Sequence, residues 1–321
     1  MSRKQVLVFK ELPADQMARL QRECDVVQAD PRQPDQSAAF HDALATVDGM
    51  IGASHRFDDA LLDAAPRLKV ISSVSVGVDN YPLASLKSRG IMLCHTPGVL
   101  TETVADLYFA LILATSRRVV ELANLVREGR WTGSIQSDLF GWDVHGKTLG
   151  ILGYGRIGQA IARRAAHGFG MQVLYHTRTP VAGEKADSRI MPASLAEVLS
   201  ESEFVVVVLP LTDQTRGLLG PTEFAMMKPG AILINGARGA IVQEPALLDA
   251  LDRGTLRAAG LDVFSKEPLP GDSPLRTHPK VVPLPHAGSA THETRHAMAE
   301  MATTNLLLAL KGRPPLAVFE A

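Results

Sequence analysis

Three stretches of the chain end an apolar run on side chains able to move or hold a proton. AILINGARGAIV (231–242) places Arg238 just past Ile, Leu and Ile. GLDVFSKEP (260–268) carries Asp262 and then Glu267, and VVPLPHAGSAT (281–291) closes its apolar run on His286. An imidazole titrating near about 6.5 is suited to giving a proton to a carbonyl oxygen while the carbon receives a hydride. A neighbouring carboxylate would stabilise the imidazolium and hold the ring's orientation. A guanidinium would polarise the keto oxygen and steady a substrate carboxylate. Together the three types suit reduction of a 2-keto acid, with general acid catalysis worth roughly 10²–10⁴ in rate. Taken singly, each has a plainer reading: an arginine after a strand can simply pair with an acid, and a histidine can sit anywhere.

Such a cluster needs a hydride source and elements to hold it. Between the apolar run Thr148–Leu152 and the helical stretch IGQAIARRAA stands GYGRIG, with Gly153, Gly155, Arg156, Ile157 and Gly158. Gly153 permits a tight turn, Gly155 admits a pyrophosphate to bare backbone, and Gly158 lets helix and strand pack closely. The helix N-terminus adds free N–H groups and partial positive charge. About twenty residues on, a dinucleotide unit usually carries an acid for the adenosine ribose. VLYHTRTP (173–180) offers His176, Thr177 and Arg178 instead. A carboxylate there would repel a 2′-phosphate, whereas Arg178 can bond one bidentately, with Thr177 as hydroxyl donor. Arg156 can add a second positive charge. The expectation is NADPH in preference to NADH, the plainer alternative being that Arg178 is a solvated loop residue.

The wider pattern alternates short β-branched runs with helices, which argues for parallel sheets flanked by helices. Predicted strands in the first hundred residues are Val6–Phe9, Gly49–Ala53, Lys69–Val74 and Ile91–Cys94, with helices Pro13–Glu23, Asp58–Ala64 and Pro82–Ser88. A second series gives six strands: Thr148–Leu152, Gln172–His176, Phe204–Leu209, Ala231–Asn235, Ala258–Val263 and Val281–Pro285. Long helices over Thr101–Glu128 and Thr291–Lys311 bracket this series, and the last can carry the chain back to the first domain. The expected architecture is α/β with two doubly wound parallel-sheet domains: a Rossmann nucleotide domain (101–287) and a flavodoxin-like, discontinuous substrate domain (1–100 and 288–321). Chemistry is expected in a cleft between them.

Bulk properties agree with a small-molecule enzyme. The 321 residues suit two domains. Apolar residues make up 46% and charged residues 21%, a globular balance. A net charge of −1 provides no basic field for nucleic acid or membrane surface. Apolar runs are too short to span a bilayer. MSRKQVLVFK reads as a first strand and not a leader, and Cys24 and Cys94 lie far apart without metal or disulfide spacing. A cytoplasmic location without a metal is expected. In the first domain, Ser75, Val76 and Gly77 follow a strand, and backbone N–H groups at such a turn form an anion-binding concavity; a bare turn is the alternative.

LGILGYGRIGQAIARR (149–164), INGARGAIVQEPAL (234–247), AAGLDVFSKEP (258–268) and LPHAGSATHET (284–294) resemble the D-isomer-specific 2-hydroxyacid dehydrogenases over essentially the whole chain. VSVGVDN (74–80), HTPGVLTETVADL (95–107), SRRVVE (116–121) and DVHGKTLGI (143–151) look like its glyoxylate/hydroxypyruvate reductase B and 2-ketogluconate reductase branch, which commonly uses NADPH. The resemblance implies Arg238, Glu267 and His286 as the catalytic set, and Asp262 as a contact to the nicotinamide amide. It implies Leu209, Pro210 and Thr215 as a strand-end segment facing the cofactor, with Ala237 and Gly288 also contacting the cofactor and Thr103 near the nicotinamide. It assigns the substrate carboxylate to Ser75, Val76 and Gly77, with Arg238 and His286 also touching substrate. It also implies a homodimer through the nucleotide domain.

Two departures stand out: Gln243-Glu244 where Asp-Glu is usual, expected to be a loop support, and Gly236 where many relatives carry a bulkier residue, expected to alter pocket volume. The expected function is NADPH-linked reduction of glyoxylate, hydroxypyruvate or 2-ketogluconate to the D-2-hydroxy acid. The alternatives are another enzyme of the family, of phosphoglycerate type, or a non-catalytic, nucleotide-sensing corepressor-like protein. The first would want NAD and extra regulatory sequence beyond Ala321, the second partner-binding extensions, and neither is visible. Glu267 argues against formate oxidation, which in this fold puts Gln at that place.

Overall fold

The computed structural model describes residues 3–178 and 187–320. In chain order the strands and helices of the first stretch are β1 (Lys4–Val8), α1 (Ala14–Glu23), β2 (Cys24–Gln28), α2 (Ser37–Leu44), β3 (Gly49–Gly52), α3 (Asp59–Asp63), β4 (Val70–Ser73), α4 (Leu83–Ser88) and β5 (Met92–Cys94). Then follow α5 (Thr101–Ser116), α6 (Val119–Arg127), β6 (Thr148–Leu152), α7 (Arg156–Gly168), β7 (Gln172–His176), β8 (Ile190–Pro192), α8 (Leu195–Glu201) and β9 (Phe204–Val207). The series closes with α9 (Pro221–Met226), β10 (Ala231–Asn235), α10 (Glu244–Asp252), β11 (Leu256–Leu261), β12 (Val281–Pro283) and α11 (His292–Leu310). Backbone contacts divide the chain into two compact units, one of Met1–Leu100 with Ser289–Ala321 and one of Thr101–Gly288.

The first unit is a five-stranded parallel sheet of order β2-β1-β3-β4-β5. That is the flavodoxin-like winding. Its central strands are apolar throughout because helices cover both faces; Leu7, Phe9, Phe40, Met50 and Ile71 form its buried core. The second unit is a seven-stranded parallel sheet of order β12-β11-β10-β9-β6-β7-β8. The winding reverses at β6, which lies between β7 and β9, and a ligand crevice belongs at the carboxyl ends of strands at such a switch point. α11 returns to the first unit, where the Ser72 hydroxyl donates to the Ala302 carbonyl at 2.7 Å.

The sequence reading undercounts strands in both units. β2 is an edge strand whose residues after Cys24 are exposed or half-buried, so it lacks an apolar signature. β8 is a three-residue edge strand ending in Pro192, a residue that edges tolerate. The expected helix Thr101–Glu128 is two helices. Arg118, between them, sits in the left-handed region at φ 54°, and its guanidinium bonds both carboxylate oxygens of Glu121 at 2.8 and 2.7 Å. α5 is apolar and largely buried, whereas no residue of α6 is buried. Helical periodicity runs across both, so spacing alone carries no sign of the break.

Candidate active site

Three neighbouring strands, β10, β11 and β12, deliver the reactive groups at their carboxyl ends. Asp262 follows β11 and is 1% exposed. Its backbone N–H donates to the Asn235 carbonyl at the end of β10 (2.8 Å), and its carbonyl accepts from the His286 N–H (2.9 Å). Its carboxylate accepts the next two N–H groups, Ala287 on Oδ1 at 2.7 Å and Gly288 on Oδ2 at 2.8 Å. Burial raises the Asp262 carboxyl from its usual value, and these backbone bonds and the charge of His286 work against that rise. The clasp matters because His286 stands at φ 55°. A non-glycine residue in that region costs on the order of 1–3 kcal/mol and persists only where its surroundings over-determine it. Asp262 supplies that determination. Gly288 is confined beside it: an added Cβ would lie 3.3 Å from Asp262 Oδ2 and 3.7 Å from Val104 on the first turn of α5. Half-buried Thr103 stands on that same turn.

The clasp aims the imidazole at an acid. Nδ1 of His286 lies 2.7 Å from Oε2 of Glu267, while Oε1 accepts the Phe264 N–H at 3.0 Å. Burial pushes the Glu267 carboxyl up, but the bonds from His286 and Phe264 and the charges of His286 and Arg238 outweigh it and hold the group below its ordinary range. Both members of the pair reach the surface, with 48% of the His286 side chain and 36% of the Glu267 side chain exposed. A substrate can therefore reach the free edge of the ring.

Arg238 comes from the loop after β10. Asn235, 1% exposed, staples that loop: Nδ2 donates to the Arg238 carbonyl (3.0 Å) and Oδ1 accepts the Ala237 N–H (3.1 Å). The guanidinium Nη1 donates to the Ala237 carbonyl at 2.7 Å. The next residue, Gly239, fixes how closely this loop meets the Glu267 loop. A Cβ there would fall 1.9 Å from the Phe264 carbonyl carbon and 2.3 Å from the Ser265 nitrogen, so only glycine allows the approach. Buried Tyr108 supports the same corner, its hydroxyl donating to the Val207 carbonyl and accepting the Gly236 N–H at 3.1 Å. A side chain at position 236 would meet the Tyr108 ring at 3.0 Å, so Gly236 serves packing on Tyr108.

The glycine turn caps β6. Gly153, at φ 103°, would put a Cβ 2.7 Å from the Val208 carbonyl oxygen and 3.1 Å from the Leu209 nitrogen, which presses the turn onto the segment leading into Leu209 and Pro210. At Gly158 a Cβ would lie 2.3 Å from the Gly153 carbonyl oxygen. Gly155 differs, for nothing lies within 4 Å of its Cβ position. Internal packing does not demand a glycine there, yet an anion approaching the N-terminus of α7 would fill that space. The residues present therefore fit a dinucleotide pyrophosphate. Arg156 is exposed and Ile157 half-buried. At the end of β7, Nδ1 of His176 lies 3.2 Å from the Ala193 carbonyl; just past it, Thr177 is half-buried and exposed Arg178 donates from Nη1 to Gln214 Oε1 at 3.0 Å. Thr215 ties its own loop together, donating from Oγ1 to the Pro210 carbonyl at 2.7 Å. Gln243 supports the same loop, its Nε2 donating to the Gly217 carbonyl at 2.8 Å.

In the first unit, the turn after β4 is internally bonded. The Tyr81 hydroxyl donates to Ser73 Oγ (3.0 Å), Ser73 and Ser75 hydroxyls lie 2.8 Å apart, and Ser75 Oγ donates to the Gly77 carbonyl (2.7 Å). His95 Nδ1 lies 3.2 Å from the Val76 carbonyl. Ser75, Val76 and Gly77 are each half-buried. Among the described residues, no helix is long and apolar enough to cross a membrane.

The structure thus brings Arg238, Glu267 and His286 to one corner of the second unit and leaves Arg178 with the glycine turn. Sequence reasoning passed over Asn235, Tyr108 and Gly239 as positioning residues. Asn235, a polar residue closing the apolar strand β10, and Gly239, next to Arg238, carried a signal available in principle. Tyr108 lay in an apolar helix and gave none.

Residues 109–288 match the model of the D-isomer specific 2-hydroxyacid dehydrogenase, NAD binding domain. The chain is 50% identical over 309 residues to glyoxylate/hydroxypyruvate reductase B of Escherichia fergusonii, covering 96% of this chain and 95% of that one. It superposes on the TT0316 protein of Thermus thermophilus with TM-score 0.89 at 44% identity, covering 98% and 100% of the two chains. A third likeness is to the NADPH-dependent glyoxylate/hydroxypyruvate reductase of Sinorhizobium meliloti in complex with NADP and malonate, with TM-score 0.89, 32% identity and coverage of 99% and 97%.

Proposed function

This chain belongs to the D-isomer-specific 2-hydroxyacid dehydrogenase family and is an NAD(P)-dependent oxidoreductase, and from that premise we propose that it reduces small 2-keto acids to D-2-hydroxy acids with NADPH. Glyoxylate and hydroxypyruvate are the first candidates, after the names of the 50% identical relatives, and 2-ketogluconate is a larger one. The observation that carries the reading is the 2.7 Å His286–Glu267 pair, set where the Arg238 charge acts on the same carboxylate.

When bound, the nicotinamide cofactor supplies a hydride to the keto carbon. The protein's residues do the rest. With Nδ1 committed to Glu267, the proton at Nε2 of a His286 imidazolium passes to the keto oxygen, and Glu267 stabilises the cation until then. Arg238 polarises that oxygen and steadies the substrate carboxylate, which the Ser75–Val76–Gly77 turn also receives. Gly153, Gly155 and Gly158 with the α7 N-terminus take the pyrophosphate, and Arg156 is close enough in sequence to add charge. Leu209, Pro210, Thr215, Ala237, Gly288 and Thr103 line the cofactor. Asp262 holds the His286 loop, its remaining lone pairs serving the nicotinamide amide. His176, Thr177 and Arg178 take the ribose bearing a 2′-phosphate. Two copies pair through the nucleotide unit.

Steady-state reduction of glyoxylate, hydroxypyruvate and 2-ketogluconate with NADPH and with NADH tests this. Higher kcat/KM with NADPH on at least one of these acids is expected. Equal or better efficiency with NADH would remove the cofactor assignment, and no turnover of any keto acid would remove the function.

A further inference from the structure

Arg178 and Gln214 stand on opposite sides of the glycine turn. Arg178 lies just past β7 and Gln214 in the loop past β9, and the sheet order β9-β6-β7 puts the strand carrying the glycine turn between them. Their hydrogen bond, 3.0 Å from Arg178 Nη1 to Gln214 Oε1, therefore joins the two strand ends that flank β6. Both supports are fixed. On the β9 side, Thr215 Oγ1 accepts the Thr212 N–H at 2.8 Å while donating to the Pro210 carbonyl at 2.7 Å. The Gly217 N–H donates to the Ala240 carbonyl at 2.8 Å, and Gln243 holds the Gly217 carbonyl. On the β7 side, the Gly153 N–H of the turn donates to the His176 carbonyl at 2.9 Å. An exposed arginine otherwise samples many rotamers, an entropy that a phosphate contact must overcome each time it forms.

We propose that Gln214 is a positioning residue for cofactor choice, holding one edge of the Arg178 guanidinium across the turn so that its remaining N–H groups face a phosphate on the adenosine ribose. Gln214 touches neither substrate nor hydride and acts only through Arg178. The inference rests on the NADPH reading above. Its consequence is selective: loss of the amide weakens NADPH and leaves NADH alone, because NADH has no 2′-phosphate for Arg178 to meet.

The test is a double-mutant cycle on the purified enzyme with Gln214→Ala, Arg178→Ala and the double variant, reading KM for NADPH, KM for NADH and kcat. Gln214→Ala should raise KM for NADPH roughly fivefold, the fold-change for one ordinary hydrogen bond, with kcat and KM for NADH unchanged. Arg178→Ala should raise it further, and the double variant should match Arg178→Ala alone, since the two act as one unit. Additive effects, or equal changes for both cofactors, would overturn the role of Gln214. If Arg178→Ala itself changes KM for NADPH and for NADH by the same factor, the NADPH reading falls as well; a selective Arg178→Ala beside a silent Gln214→Ala sinks only the present inference.

Discussion

The corner that carries His286 and the end that carries Arg178 belong to one parallel sheet, yet they are built on opposite plans. His286 is held by a buried acid that takes its backbone N–H and the two that follow, and its ring is fixed by a second acid. Arg178 is exposed and, among the described residues, is held by a hydrogen bond to an exposed amide. The contrast follows the chemistry proposed for each end. Proton transfer needs donor and acceptor within about 3 Å and correctly aligned, so a backbone conformation costing on the order of 1–3 kcal/mol is tolerated to achieve it. Attraction of a phosphate by a guanidinium falls slowly with distance and tolerates looser placement.

Breaking the rigid corner should have the largest effects. His286→Ala removes the proposed proton donor and should lower kcat roughly 10²–10⁴-fold while NADPH affinity, measured by fluorescence titration, stays nearly unchanged; intact turnover would take the acid role from this residue. Gly239→Ala forces the Arg238 and Glu267 loops apart, since the new methyl group would overlap the backbone at Phe264. It should lose about 1–3 kcal/mol of stability together with most activity, seen as a parallel fall in Tm and kcat. Retention of kcat with a lowered Tm would show that the corner's spacing is less exacting than the contrast requires.

Glu267→Gln sharpens the comparison through pH. Stability carries the reading and its sign. The Glu267 carboxyl is held below its ordinary value in the fold, so its contribution is present above the usual carboxylate range and lost as pH falls through the lower folded value. Denaturation midpoints of the wild type and the Gln variant should therefore converge on acidification. A gap that widens instead would refute the assigned direction.

At the loose end the effect should be smallest and confined to one cofactor. Arg178→Ala should raise KM for NADPH roughly tenfold, as expected for a charge-assisted contact, with kcat preserved. A comparable loss with NADH would mean that this end, too, is structural.

Much of the chemistry was legible before the fold was known because reactive residues follow apolar runs in this sheet. Thr148–Leu152 and Ala231–Asn235 are predictable as strands, since a strand buried on both faces is largely apolar; Gln172–His176, only partly buried, is legible from its Val-Leu-Tyr run. Edge strands β2 and β8 were not, because one exposed side dilutes that signal. The break at Arg118 escaped because it depends on a side chain reaching Glu121, and Tyr108 escaped because its single hydroxyl finds partners from distant segments.

The amino-acid sequence by itself determined the parallel-sheet class, the glycine turn and the identity of the three ionisable groups at strand ends, since composition and short-range spacing encode them. Only the tertiary structure decided that Asp262 serves as the clasp of the His286 loop, that Gly239 sets the separation of two loops, and that Gln214 reaches Arg178 across β6. Those facts depend on which strands lie side by side. Sheet order is set by long-range packing, and no local pattern along the chain records it.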